Sequence, residues 1–380
     1  MKKLVIIILS VFLLVISGCW DQRELIERAF ALGAAIDQHE DQLELTVQFY
    51  RPKPEEGGGG DGGDPVSFGI YAQTISEGAR NLVNHIGRRA NWSHMQVIVI
   101  GEETARTRPL SELLGFFYRE QEPRSTTHIL IGQGKGSDYL NFDPLFEDSS
   151  GRQLREIQRF SREVTGHSRE TTIHDLSLQL KSELGTAIVP YVTKSANKIT
   201  TAPIIGVAIV KDDRMVSDLS GKETQSLLIL REQFDRANWK LPCKEGNNGG
   251  RFDNIEVFLT SSNISPRVNG NQVTVDAAFQ FEVTLRELVC ETVLETSEDA
   301  NEFARYIEEQ LEINLMNTIE KLQKEKIDAS ELGNKIYRDN PELWKSVKDN
   351  WDELFATAQF NFSISVDIDG SGTVEYRPFP

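Results

Sequence analysis

The sequence predicts an α+β fold: three mixed α/β domains behind an N-terminal leader, the last an antiparallel sheet packed against a long helix. Three observations predict it. Short strand-like runs and amphipathic helical stretches are interspersed along the first two-thirds of the chain. A single long helical period, Phe303 to Leu322, sits between strand-like segments near the end. The chain is 380 residues with 39% hydrophobic residues, enough for two or three packed cores and too apolar for wholesale disorder.

The leader covers residues 1–18. Lys2 and Lys3 precede an apolar run from Leu4 to Ile16, broken only by Ser10. Ser17, Gly18 and Cys19 follow, the layout of a secretory signal peptide. The run falls short of the ~20 apolar residues that a spanning helix needs. Ile16-Ser17-Gly18-Cys19 resembles a bacterial lipobox, which implies cleavage before Cys19 and a diacylglyceryl group on its thiol. Each buried methylene contributes about 0.8 kcal/mol, and two or more acyl chains, palmitate for instance, hold a protein stably on a bilayer. Trp20 and Asp21 would then sit beside the lipid, placed for a headgroup or partner contact.

Residues 19–135 read as an N-terminal α/β domain. Strands are expected at 29–36 and 43–50, where Leu43, Leu45, Val47 and Phe49 alternate with polar residues in the period of a half-buried strand. The glycine-rich stretch 55–65 has no capacity to pack and reads as a connector. Ile75, Ala79, Leu82 and Ile86 mark one face of a helix over 74–86, stopped by Gly87. A buried strand at 96–101, a helix opened by Pro109 and running to Tyr118, and a strand at 127–132 complete the unit.

Residues 136–235 read as a smaller α+β unit. It has amphipathic helices at 151–164 and 172–184, a strand at 187–193, and a hairpin of 204–210 and 215–219 turning across Lys211-Asp212-Asp213-Arg214.

Residues 236–380 read as the third unit. A linker at 244–250 precedes strands at 254–261 and 272–288, joined through Asn269-Gly270-Asn271, a good hairpin signal. Ser297 can cap the long helix, with Glu298 and Asp299 where the dipole favours them. Phe303, Ile307, Leu311, Leu315, Ile319 and Leu322 line its apolar side, and a closing strand follows at 360–368. A helix laid over a sheet buries one face of each.

Formal net charge is -17, and loss of Lys2 and Lys3 makes the mature chain more acidic. Such a surface repels nucleic acid and anionic headgroups, so membrane contact is expected from the lipid and a partner rather than a basic patch. Cys243 and Cys290 remain after processing; export permits a disulfide, and two unpaired thiols are the simpler reading. Neither has metal-ligand spacing.

Several motifs fail on inspection. Gly132 to Ser137 holds a Gly-Lys step without the spacing, or the Ser or Thr after the lysine, that a phosphate loop requires; it reads as a strand-ending turn. Counting from Asp367, the twelfth place of a calcium loop is Pro378, not glutamate, so a terminal turn is the simpler reading. No histidine pair has HExxH spacing, and no nucleophile elbow appears. His94, beside Trp92, is expected to satisfy a buried polar contact near a sheet edge, with a ligand pocket as the alternative. Trp344 and Trp351 are expected to cap the core.

Cys19-Trp20-Asp21 with Arg23-Glu24-Leu25 resembles the mature start of the Ger(x)C family, the C-subunit lipoproteins of spore germinant receptors. Asn91-Trp92-Ser93-His94 resembles the family's Trp-x-His segment, and Gly206-Val207-Ala208 the start of its C-terminal region. Asp328, Leu332-Gly333, Arg338, Pro341, Trp344 and Trp351 resemble its closing signature. Nearly all of the mature chain is covered. The Gly57–Gly63 run is longer than usual for the family, and Gly134-Lys135-Gly136 stands where the family shows a Gly-x-Ala step.

The resemblance implies a three-domain, non-enzymatic lipoprotein on the outer surface of the spore inner membrane, assembled with A-type and B-type membrane subunits in a complex that responds to nutrients. It implies no cofactor, no metal and no catalytic residue. The alternative is a substrate-binding lipoprotein of an uptake system, disfavoured because the last unit is unlike the first.

Overall fold

The computed structural model describes residues 25–52, 63–195, 200–244, 251–290, 294 and 296–369. The leader, Cys19, Trp20 and Asp21, most of the glycine-rich stretch, and the chain beyond Asp369 lie outside them.

Strand β1 (Arg28–His39) turns back into β2 (Gln42–Arg51), and β3 (Gly63–Ala72) adds to its far side. The alternating set Leu43, Leu45, Val47 and Phe49 is buried as expected, but so are Thr46 and Gln48 on the opposite face. Both faces of this sheet are covered, so the half-buried expectation gives way. Gln48 donates to the Leu140 carbonyl at 2.8 Å and accepts from the Gly151 amide at 3.1 Å, which removes the cost of its burial. β3 lies where the sequence suggested only the end of a connector; its alternating Val66, Phe68, Ile70 and Ala72 were overshadowed by the glycines before them.

The sheet continues through β5 (Val97–Gly101), β6 (His128–Gly132), β7 (Thr186–Val192), β8 (Ile204–Lys211) and β9 (Arg214–Ser220). Its order is β3-β2-β1-β5-β6-β7-β8-β9, with β4 (Arg89–Asn91) paired to the start of β1, nine strands in all. The β1–β5, β5–β6 and β6–β7 ladders are parallel. Strands of the 19–135 and 136–235 segments thus hydrogen-bond into one sheet, and position 135 falls between two of its neighbouring strands.

Helices α1 (Ile75–Ile86), α2 (Glu102–Thr107), α3 (Leu110–Arg119) and α5 (Ile173–Leu180) contribute to the core on one face. Thr74 caps α1 through the Glu77 amide and Gly87 ends it at φ 64°. Helix α4 (Ser150–Phe160) and a 3-10 turn (Gly136–Leu140) cover part of the other face. Beside them, Ile188, Val207, Ile209 and Leu219 join a core shared with α6 (Gly221–Leu230) and the C-terminal unit.

That unit is a four-stranded sheet, β10 (Arg236–Pro242), β11 (Phe252–Asn269), β12 (Gln272–Glu287) and β13 (Gln359–Ile368), in chain order. The long helix α7 (Ser297–Glu325) packs on it through the expected face, Phe303 to Leu322. Its cap is Thr296, one residue before the expected Ser297, in a reciprocal box with Asp299. Helices α8 (Leu332–Asp339), α9 (Pro341–Val347) and α10 (Trp351–Ala356) follow. One ladder departs from the antiparallel expectation: β13 runs parallel to β12. The helical segment between them carries the chain back along the sheet, the crossover that parallel pairing needs.

The expectation of unpaired thiols is also corrected. Cys243 follows β10, Cys290 follows β12, and pairing of both strands with β11 brings their Cα atoms to 5.5 Å, joined by a disulfide.

Candidate functional site

Two residue groups singled out in the sequence become two structural clusters. The first surrounds β4. Trp92 is buried, with its ring centroid 5.5 Å from Phe116 and 5.7 Å from Phe117, near perpendicular to both. Its backbone amide donates to Glu122 at 3.1 Å, and Glu122 lies 4.0 Å from Arg28. His94 departs from expectation: it is exposed, set edge-on to Phe30 at 5.3 Å. A cleft of about 480 Å³ adjoins Trp92, bordered by Glu27, Arg28, Val83, Arg89 and Phe116. It lies beside the first described residues. Cys19, Trp20 and Asp21 fall outside those residues, so no contact of theirs with this cleft is described.

The second cluster gathers the closing signature. Asp328 is buried and accepts four hydrogen bonds: from Ser330 Oγ at 2.7 Å, the Leu332 amide at 3.3 Å, the Gly333 amide at 2.8 Å and Trp351 Nε1 at 3.0 Å. Burial pushes its carboxyl above the ordinary value, and the four donors pull against that rise. The Trp344 and Trp351 rings meet near edge-to-face at 5.4 Å, both buried as expected. Trp344 Nε1 reaches out to Glu183 at 2.9 Å. A Cβ on Gly333 would lie 2.7 Å from Leu184 and 2.8 Å from Trp344, so only glycine fits there. Asn334 accepts from the Leu184 amide at 3.2 Å.

Arg231 completes this clasp. Its side chain is fully buried, donates to the Ala329 carbonyl at 2.8 Å and to Gln179 at 3.2 Å, and pairs with Glu331 at 2.7 Å. The signature therefore joins the 179–184 segment, which leads into β7, to the helices after α7. Apart from Arg338, the polar groups of the clasp are spent on one another, an arrangement that positions its elements. Glu183, Gln179 and Arg231 were not singled out in the sequence. The first two look like ordinary polar helix residues, and Arg231 carried only one signal, its place directly after an apolar run.

The Gly132–Ser137 segment is the turn expected. Gly134 sits at φ 76°, and the amides of Gly136 and Ser137 donate to the buried carboxylate of Asp37 at 2.6 and 2.9 Å. An internal anion fills the place a phosphate would need. Among the described residues, no three His, Cys, Asp or Glu side chains are grouped to hold a metal. No described helix is long and apolar enough to cross a membrane.

Two family models match the chain: the spore germination protein N-terminal domain over residues 21–194, and the spore germination B3/GerAC-like C-terminal domain over residues 205–372. The chain belongs to the Ger(x)C family of spore germination proteins. Among its Ger(x)C relatives, spore germination protein B3 of Bacillus subtilis (strain 168) is 25% identical, over 95% of this chain and 96% of the relative. Spore germination protein KC of the same organism is 24% identical, over 93% and 92%. The crystal structure of the GerBC protein shares the fold, with a TM-score of 0.54 at 21% identity over 92% of this chain and 100% of that one. The mixed α+β architecture expected from the sequence is thus also that of a Ger(x)C neighbour.

Proposed function

We propose that this chain is the lipid-anchored, non-enzymatic C-subunit of a nutrient germinant receptor, held on the outer surface of the spore inner membrane and required for the germination response. In this reading Cys19 carries the diacylglyceryl group, residues 1–18 are removed, and A-type and B-type membrane subunits are the partners. Trp20 and Asp21 contact the headgroups or a partner subunit. The observation that carries the reading is the family match over nearly the whole chain, joined to the lipobox at its start.

Two further features support it. The Cys243–Cys290 disulfide suits an exported protein, because reducing compartments keep thiols open. Five residues separate Cys19 from Leu25, and the six steps between them span at most about 21 Å when extended, so the body would stay near the bilayer.

Mass spectrometry of the protein purified from spore membranes tests the anchor. A diacylated Cys19 at the N-terminus is expected; an intact Met1 or an unmodified thiol overturns it. Cys19→Ala is expected to lose both membrane sedimentation and the nutrient response. Copurification of two membrane subunits from spores tests the complex separately.

A further inference from the structure

The cleft between α5 and α8 contains charges that the clasp beside it does not use. It has a volume of about 470 Å³ and is lined on one side by Arg169 and Lys181, on the other by Arg338. None of these three side chains has an ion-pair or hydrogen-bond partner among the described residues. The carboxylates around the cleft are already committed. Asp175 closes the capping box of α5 with Thr172, Glu183 accepts from Trp344, and Glu331 pairs with Arg231. The charged side chains left without a partner in the lining are the three cations.

A fourth group gives the ligand a second property. Gln233 lines the same cleft, and its Oε1 is buried and accepts no hydrogen bond. A buried acceptor without a donor is costly, and such atoms are rare in folded chains. Three free cations beside one empty acceptor fit a small anion that also donates.

We propose that this cleft binds a small oxyanion, a carboxylate or a phosphate, bearing a hydroxyl or amino donor. The oxyanion engages Arg169, Lys181 and Arg338, and the donor engages Gln233 Oε1. Arginine forks suit both kinds of oxyanion. Because Arg169 and Lys181 flank α5 and Arg338 belongs to α8, the ligand bridges the first sheet's helical layer to the C-terminal helices. This goes beyond the receptor-subunit reading and does not depend on lipid at Cys19.

The test is calorimetric titration of the full chain in mild detergent, with glycolate and inorganic phosphate as probes. Acetate serves as the carboxylate without a donor, and chloride at matched ionic strength as the blank. Saturable one-to-one binding of glycolate or phosphate is expected, and the one that binds identifies the oxyanion. Arg338→Gln, at an exposed position, is expected to weaken binding at least tenfold, on the order of 1.4 kcal/mol. Lys181→Gln, also exposed, provides an independent variant. Gln233→Met is expected to reduce glycolate affinity to that of acetate. The proposal is overturned if neither probe saturates up to about 10 mM. It is equally overturned if both cation variants bind like the parent, or if glycolate saturates and acetate binds the parent as tightly.

Discussion

Trp351 donates its indole N–H to the buried carboxylate of Asp328 at 3.0 Å, across 23 residues of chain. The same carboxylate gathers the Gly333 amide and the Ser330 hydroxyl, so one side chain sets the start of α8 and the seat of α10 together.

Asp328→Asn is expected to destabilise the chain by about 1–3 kcal/mol, because an amide presents two N–H groups where four donors seek acceptors. The pH dependence follows from the raised carboxyl. A group whose folded value lies above its unfolded one binds more protons when folded, so its contribution to stability falls as pH climbs from about 3.8 towards the folded value. Urea unfolding across that range is expected to show this decline in the parent and a flatter profile in the variant.

Gly333→Ala tests close packing rather than backbone freedom. The added methyl meets Leu184 and Trp344 at under 3 Å, and overpacking of this kind costs about 1–3 kcal/mol. Gly270→Ala gives the contrast. That glycine sits at φ 61° in the β11–β12 turn with nothing within 4 Å, so the left-handed backbone alone resists alanine, at about 1 kcal/mol. Thermal melts of the two variants are expected to rank in that order.

The disulfide closes a separation of 47 residues. Loop-closure entropy assigns it about 4 kcal/mol of stabilisation. Cys290→Ser is expected to lower the urea midpoint substantially, and dithiothreitol to lower the parent's midpoint while leaving the variant's unchanged. A parent indifferent to the reductant would contradict the bond.

Asp37→Ala removes the acceptor for the Gly136 and Ser137 amides and leaves two buried N–H groups unpaired. A loss of about 1–3 kcal/mol for each group left dry is the upper scale. Hydrogen exchange is expected to quicken first in the 134–140 turn.

Much of this fold is legible in the residues. The helix face from Phe303 to Leu322, the Gly87 stop and the 204–219 hairpin follow from local period and turn chemistry, and the structure has each. What local pattern cannot carry is direction and partner. Alternation in Phe360 to Ile368 marks a strand but not that it runs parallel to β12. Apolar runs at 127–132 and 187–193 mark β6 and β7 but not that they are neighbours, since a long intervening segment separates them. Pairing of Cys243 and Cys290 stays open in the sequence for the same reason: spacing does not report a 5.5 Å approach. The tryptophans of the clasp stood out by composition. Glu183, which anchors one of them, looked like any solvated carboxylate.

The ladder between β6 and β7, at Ile131 with Tyr191 and Gly132 with Val192, has a practical corollary for dissecting the molecule. A fragment ending near residue 135 would leave β6 as a raw border, its amides and carbonyls turned outward with nothing to meet them. Bare borders of that kind recruit other chains. Keeping β7 through β9 covers that border, but a cut after Ser220 would bare Ile188, Val207, Ile209 and Leu219, which share a core with α6 and the C-terminal unit, so the chain is best kept whole.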